Sequence, residues 1–112
     1  MRGQKVYNHP WGYVLDTIHD IVELQNGRML ISDAVHGRVF YRLEMYGYEW
    51  ELLYTVAPSG AKKCTVTIEV SGERRDKAEE IHRGFALLDS MLSGSPNVKI
   101  FDFDETESGR SV

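Results

Sequence analysis

Arg38-Val39-Phe40-Tyr41-Arg42-Leu43-Glu44-Met45, the pair Tyr46-Gly47, and Tyr48-Glu49-Trp50-Glu51-Leu52-Leu53-Tyr54-Thr55-Val56 are the residues whose reading decides the fold. Both long runs alternate apolar and polar side chains, the period of a half-buried strand. Tyr46-Gly47 suits a tight two-residue turn. Closing the turn there pairs Met45 with Tyr48, Leu43 with Trp50, Tyr41 with Leu52 and Val39 with Tyr54, all on one face. The other face then receives Arg42 beside Glu51, a favourable cross-strand pair. Two independent patterns agree on one register, which is stronger than either alone.

The pattern extends in both directions. Downstream, Pro58-Ser59-Gly60-Ala61 reads as a break, with a three-residue loop containing Gly60. Lys63-Cys64-Thr65-Val66-Thr67-Ile68-Glu69-Val70 then alternates again. This register sets Cys64, Val66, Ile68 and Val70 on the face already held by Trp50, Leu52, Tyr54 and Val56. A slip of one residue would invert every side chain. Upstream, Asn26-Gly27 is a strong hairpin signal, because both residues tolerate positive φ. A hairpin there places Val22 opposite Ile31 and Leu24 opposite Met29.

Helical periodicity flanks the meander. Asn8-His9-Pro10 reads as a helix start with Asn8 or His9 as cap, followed by a stripe of Trp11, Leu15, Ile18 and Val22. After Ser71-Gly72 a helix is expected from about Arg74 to Leu92. Its buried stripe would be Ala78, Ile81, Phe85, Leu88 and Met91–Leu92, with Glu80 and Arg83 on the wet side. Ser93-Gly94-Ser95-Pro96 ends it. Residues 3–8 read as a short edge strand. The fold class is therefore α+β: an antiparallel meander sheet of five to six strands, with an N-terminal helix and a long C-terminal helix packed on one face. Residues 1–94 read as a single domain. Residues 95–112 read as an acidic C-terminal tail, disordered or adding a short strand.

With 112 residues, 42% hydrophobic and 27% charged, the composition is that of a globular domain with one modest core. A net charge of -4 argues against nucleic-acid or anionic-membrane partners, which need a basic footprint. One cysteine, Cys64, excludes an intrachain disulfide, so the cytoplasm is the expected compartment. No run has membrane-spanning length, and the first residues lack the apolar core of a signal peptide.

The order of elements resembles the START-related, birch-pollen-allergen-like helix-grip superfamily. The resemblance rests on Val6-Tyr7-Asn8-His9-Pro10-Trp11-Gly12-Tyr13-Val14-Leu15-Asp16, on the meander, and on Thr65-Val66-Thr67-Ile68-Glu69-Val70 leading into a helix with Phe85-Ala86-Leu87-Leu88. It spans roughly residues 3–92. It implies binding of an apolar small molecule between sheet and C-terminal helix. The chain is short for that group and its first strand is stunted. The resemblance carries over no catalytic residue.

Candidate sites follow from the same register. Tyr41, Tyr48, Trp50 and Tyr54 on the concave face, with Phe85 above them, are the candidate lining of a ligand pocket. The alternative is that they form the core. Phe40 and Leu53 face each other on the outer side, an apolar pair that suggests an interface with a second copy or a protein partner. Phe101 and Phe103 of the tail are candidate occupants of that surface. Arg28, Arg38, Arg42, Lys62, Lys63, Glu44, Glu49, Glu51 and Glu69 give the outer face mixed charge, which reads as solvated.

Val98-Lys99-Ile100-Phe101-Asp102-Phe103-Asp104-Glu105-Thr106 is similar to the first motif of haloacid-dehalogenase-type phosphatases, where one Asp is the nucleophile and magnesium binds nearby. The upstream pattern is antiparallel rather than βαβ, and six residues follow Thr106, so no catalytic residue is assigned. His9, His19, His36 and His82 lack metal-ligand spacing, so neither a metal nor another cofactor is expected. Cys64 faces inward and reads as a small apolar side chain.

Overall fold

The computed structural model describes residues 1–45, 47–72, 77–92 and 99–101. For Met45, Tyr48, Gly72 and residues 99–101 the description covers the backbone alone. The chain runs β1 (Arg2–Tyr7), α1 (Trp11–Leu24), β2 (Arg28–Asp33), β3 (Arg38–Met45), β4 (Tyr48–Gly60), β5 (Lys63–Gly72), α2 (Lys77–Met91) and the three-residue β6 (Lys99–Phe101). The class is α+β. Five antiparallel strands in the order β2-β3-β4-β5-β1 make the sheet, and β6 lies beyond β1, with Phe101 opposite Arg2. β1 is thus an interior partner of β5, from Arg2 opposite Glu69 to Tyr7 opposite Cys64.

The β3–β4 register is the one read from the alternation. Val39 stands opposite Tyr54, Tyr41 opposite Leu52, Leu43 opposite Trp50 and Met45 opposite Tyr48. β5 continues it, with Val66 opposite Val56, Ile68 opposite Tyr54 and Val70 opposite Leu52. The turn into β5 differs from the expected Gly60-containing loop. β4 runs on past Pro58 to Gly60, a bulge between Pro58 and Gly60 shifts the ladder, and Ala61-Lys62 close it. The bulge absorbs the odd residue, so the inward set is preserved.

Asn26-Gly27 closes a helix, not a hairpin. Asn26 is left-handed at φ 56. Its N–H donates to the Glu23 carbonyl at 3.0 Å, and the Gly27 N–H donates to the Val22 carbonyl at 2.8 Å. These two bonds define a Schellman termination of α1. A left-handed Asn serves either structure, and α1 wins because its buried face extends to Ile21 and Val22. Gly27 is needed for space, since a Cβ there would sit 2.7 Å from Cδ2 of Tyr41.

Both helices press onto the inward face. α1 buries Val14, Leu15, Thr17, Ile18, Ile21 and Val22. Trp11, expected in that stripe, is 36% exposed, because Pro10 occupies the N-cap and the buried face begins a turn later. Neither Asn8 nor His9 caps the helix. α2 buries Ile81, Gly84, Phe85 and Leu88, and Leu92 just beyond it is also buried. Met91 lies on the outside, and Glu80, expected in water, is 3% exposed. The start expected at Arg74 and the stop at residues 93–96 lie outside the described residues.

A polar link joins β1 to α2. Lys5 points inward from β1 and is buried. Its ammonium pairs with the Asp89 carboxylate in the last turn of α2. The Tyr7 hydroxyl donates to the other Asp89 oxygen at 2.8 Å. Burial, then the bond to Asp89, pushes the Tyr7 hydroxyl far above its usual range.

Candidate functional site

Tyr41, Trp50, Tyr54 and Phe85 come together under the helices, each 3% exposed or less. Their rings are the core itself. Tyr41 and Tyr54 lie 5.8 Å apart, centroid to centroid. The Tyr41 hydroxyl donates to Oε1 of Gln25 at 2.8 Å. α2 approaches the sheet at Gly84, where a Cβ would fall 2.6 Å from the Tyr54 hydroxyl and 2.9 Å from Cδ1 of Ile68. The Tyr48 side chain lies outside the described residues. Burial raises both tyrosine hydroxyls, and the nearby Glu80 charge adds to this. Tyr54 is pushed up to about 12 and Tyr41 further. A proton held that firmly is not available for acid–base chemistry near neutrality. Cys64 is fully buried and its thiol is likewise raised by burial, the setting of an inert cysteine.

The outer face is arranged differently. Phe40 and Leu53 stand directly opposite each other, as their period predicts. Sequence reasoning missed the third member of the row. Ile31 is opposite Phe40 and 55% exposed, so Ile31, Phe40 and Leu53 cross three strands as one apolar line. The hairpin expected at Asn26-Gly27 pairs Ile31 with Val22, a residue of the apolar helical stripe. The register shift between Met29 and Ile31 puts Ile31 outside, and no sequence signal marks that bulge.

Beside this row lies an open groove of about 420 Å³ lined by Met1, Phe40, Glu51, Leu53, Glu69, Val70, Ser71 and Lys77. Its lining joins apolar Met1, Phe40, Leu53 and Val70 to two carboxylates and the Lys77 ammonium. Glu51 accepts a bond from Nη2 of Arg42 at 3.0 Å, which holds that guanidinium firmly protonated. Glu69 is exposed. β4 and β5, paired from Trp50 opposite Gly72 to Gly60 opposite Lys63, run beneath it. Phe101 lies on β6 with its side chain undescribed, and Phe103 lies outside the described residues.

A smaller cavity of about 270 Å³ is bounded by Trp11, Val35, His36, Thr55, Val56 and Pro58 among others. The β2–β3 turn beside it is tightly built. Asp33 Oδ2 receives Nδ1–H of His36 at 2.8 Å and Nη2 of Arg38 at 3.1 Å. These partners hold the Asp33 carboxyl down at about 2. Gly37, at φ 64, accepts the Val56 N–H at its carbonyl at 2.7 Å. Any Cβ there would lie 2.4 Å from the Val56 carbonyl oxygen. His19 is a strut: Nδ1 donates to the Leu15 carbonyl at 2.9 Å, which leaves Nε2 to accept the Ser32 hydroxyl at 2.8 Å. Among the described residues no group of three or more His, Cys, Asp or Glu is placed to hold a metal ion. No described helix is long and apolar enough to cross a membrane.

Fold and site together define an α+β chain with a filled inward face and an apolar row on its outward face. Compared with protein-family models and with curated proteins, the sequence matches none.

Proposed function

We propose that this chain is a non-catalytic protein-interaction module that docks a partner polypeptide on the outer face of its sheet. The supporting observation is the apolar row Ile31, Phe40 and Leu53 running into a groove with Glu51 and Glu69 at its rim. Apolar side chains aligned across a solvated sheet face mark a contact surface. The chemistry of the groove selects the partner: a segment that sets an apolar side chain between Phe40 and Leu53 and a Lys or Arg against Glu69. A peptide-display selection tests this. Enriched peptides carry an apolar residue flanked by a basic one. Phe40→Glu and Leu53→Glu abolish binding, and Glu69→Lys selects acidic flanks instead. Retention of the same peptides by all three variants would sink the proposal.

The ligand-binding reading is favoured by one observation. Nε1 of Trp50 is buried with no acceptor among the described residues, and a buried indole N–H ordinarily has one. The helix-grip resemblance of the sequence goes with this reading. The close packing of α2 at Gly84 weighs against a cavity there, so this reading ranks second. Native mass spectrometry of protein from its own host separates the two, since a small bound adduct supports the ligand and would demote the docking surface.

A further inference from the structure

β2 is the end strand of the sheet, and of its six residues five are exposed and Asp33 is half-buried. Its sequence is Arg28-Met29-Leu30-Ile31-Ser32-Asp33. An end strand presents a row of unpaired N–H and C=O groups, and proteins commonly guard it with Pro, charged side chains, a bulge or a covering loop. Of these, β2 has a bulge and a charge at each end. β2 contains neither Pro nor Lys. Three consecutive large apolar residues occupy its centre, and Val35 in the turn that follows is 86% exposed.

The charges at the ends of β2 are complementary to themselves. In an antiparallel pairing of β2 with a second β2, with the two-fold axis between Leu30 and Ile31, Arg28 falls opposite Asp33 of the partner subunit. Met29 falls opposite Ser32 of the partner subunit. The bulge is what makes this workable. Within one chain Arg28 is opposite Arg42, Ile31 opposite Phe40 and Asp33 opposite Arg38, so Arg28, Ile31 and Asp33 share the outer face. Strict alternation would have put Arg28 and Asp33 on opposite faces. Arg28 also faces a like charge at home, which is unfavourable. Arg42 has Glu51 as its counter-ion, whereas Arg28 has none among the described residues. Asp33 is ionised and still offers Oδ1, which takes only the His36 N–H, at 3.2 Å.

We infer that this chain assembles with a second copy of itself through antiparallel pairing of β2, Arg28 of each copy facing Asp33 of the partner subunit. The two sheets join into one, and the two Ile31–Phe40–Leu53 rows become a continuous apolar line across the axis. The occupant of this edge is a second copy, because the strand's charge pattern reads the same under the two-fold rotation. The inference is independent of the docking groove, whose Phe40, Leu53 and Glu69 stay outside the pairing.

Sedimentation velocity over a concentration series tests it with the wild type and single variants, at low salt so that the charge contacts are not screened. The wild type is expected to dimerise. Arg28→Glu alone and Asp33→Lys alone place like charges at both symmetry-related contacts, and each weakens dimerisation by about tenfold or more. An equimolar mixture of the two variants restores opposite charges at both contacts and recovers a heterodimer. Ile31→Lys, a substitution at an exposed site, keeps the fold by circular dichroism and is monomeric. A wild type that stays monomeric throughout overturns the inference. So does a dimer that survives both charge variants, or a mixture that fails to recover although both variants are folded. Phe40→Glu distinguishes the two proposals: it abolishes peptide docking at the groove and leaves the dimer contact intact.

Discussion

The two flanks of the sheet solve the same problem in opposite ways. At the β1 flank the inward face is sealed: Lys5 and Tyr7 reach the Asp89 carboxylate of α2, and β6 lies along the outer edge of β1. At the β2 flank no described strand lies along the edge, and the apolar Met29, Leu30 and Ile31 face water. The difference teaches which flank holds the fold together and which flank the proposed dimer would use. Variants of the first flank should change stability, and variants of the second should change assembly.

The largest expected effect breaks the sealed flank. Asp89→Ala strands the Lys5 ammonium in the core and leaves the Tyr7 hydroxyl without its acceptor. Asp89 is half in water, so solvent replaces part of what it gives Lys5, and a loss of about 2–3 kcal/mol is expected for the donor left unpaired. Lys5→Met is the informative contrast. Its thioether chain fills similar volume, and Asp89, 40% exposed at its side chain, keeps water as a partner. A cost of about 1 kcal/mol or less is expected, since apolar replacement of a buried ion is often close to neutral. Urea unfolding with an unchanged m-value measures both. Equal losses for the two variants would mean that the pair matters through its attraction rather than through the burial of Lys5.

A smaller effect is expected where α2 crosses the middle of the sheet. Gly84→Ala introduces a methyl 2.6 Å from the Tyr54 hydroxyl and 2.9 Å from Cδ1 of Ile68. Overpacking of this kind costs about 1–3 kcal/mol, offset in part by the better helix propensity of Ala, by up to about 1 kcal/mol. Tyr54→Phe removes the closer of the two atoms, so Gly84→Ala should cost measurably less in that background. The double-mutant cycle reads this coupling directly. Additive effects would show that the helix shifts away from the sheet as a unit.

These contrasts also mark what could be read from residues alone. The β3–β4–β5 registers were legible because alternation, turn chemistry and the Arg42–Glu51 pair all point the same way. The Phe40–Leu53 pair followed from them. Lys5 and Asp89 were not legible: they are 84 positions apart, and no local pattern announces a lysine that enters a core. Glu80 failed for a related reason, since helical period places it by angle and says nothing of how far the sheet curls beneath it. Asn26-Gly27 misled because a left-handed asparagine ends a helix as readily as it turns a hairpin. That one misreading rotated β2, hid Ile31, and with it the apolar row and the open edge. Tyr41, Trp50 and Tyr54 were placed on the right face, but a period cannot distinguish a lining from a core.

The smallest expected effect sharpens the open flank. Asp33 anchors the β2–β3 turn through His36 and Arg38, and its folded pKa lies at about 2 against a reference of 3.8. A carboxyl whose pKa is lowered by folding adds stability that is fully present above the unfolded value. That stability is lost as pH falls through the folded one. The wild type should therefore lose stability from this group as pH drops from about 4 to about 2. Asp33→Asn should be the less stable protein at neutral pH and should lack that portion of the acid dependence, so the two curves converge in acid. The measurement belongs at high dilution, where the chain is a monomer and the contact with a second copy does not add to the signal. The pair is solvent-exposed, so added salt should shrink the gap. Parallel curves down to acid pH would mean that the turn is held by its backbone, by Gly37 against Val56, and that the Asp33 carboxylate is available for the partner subunit.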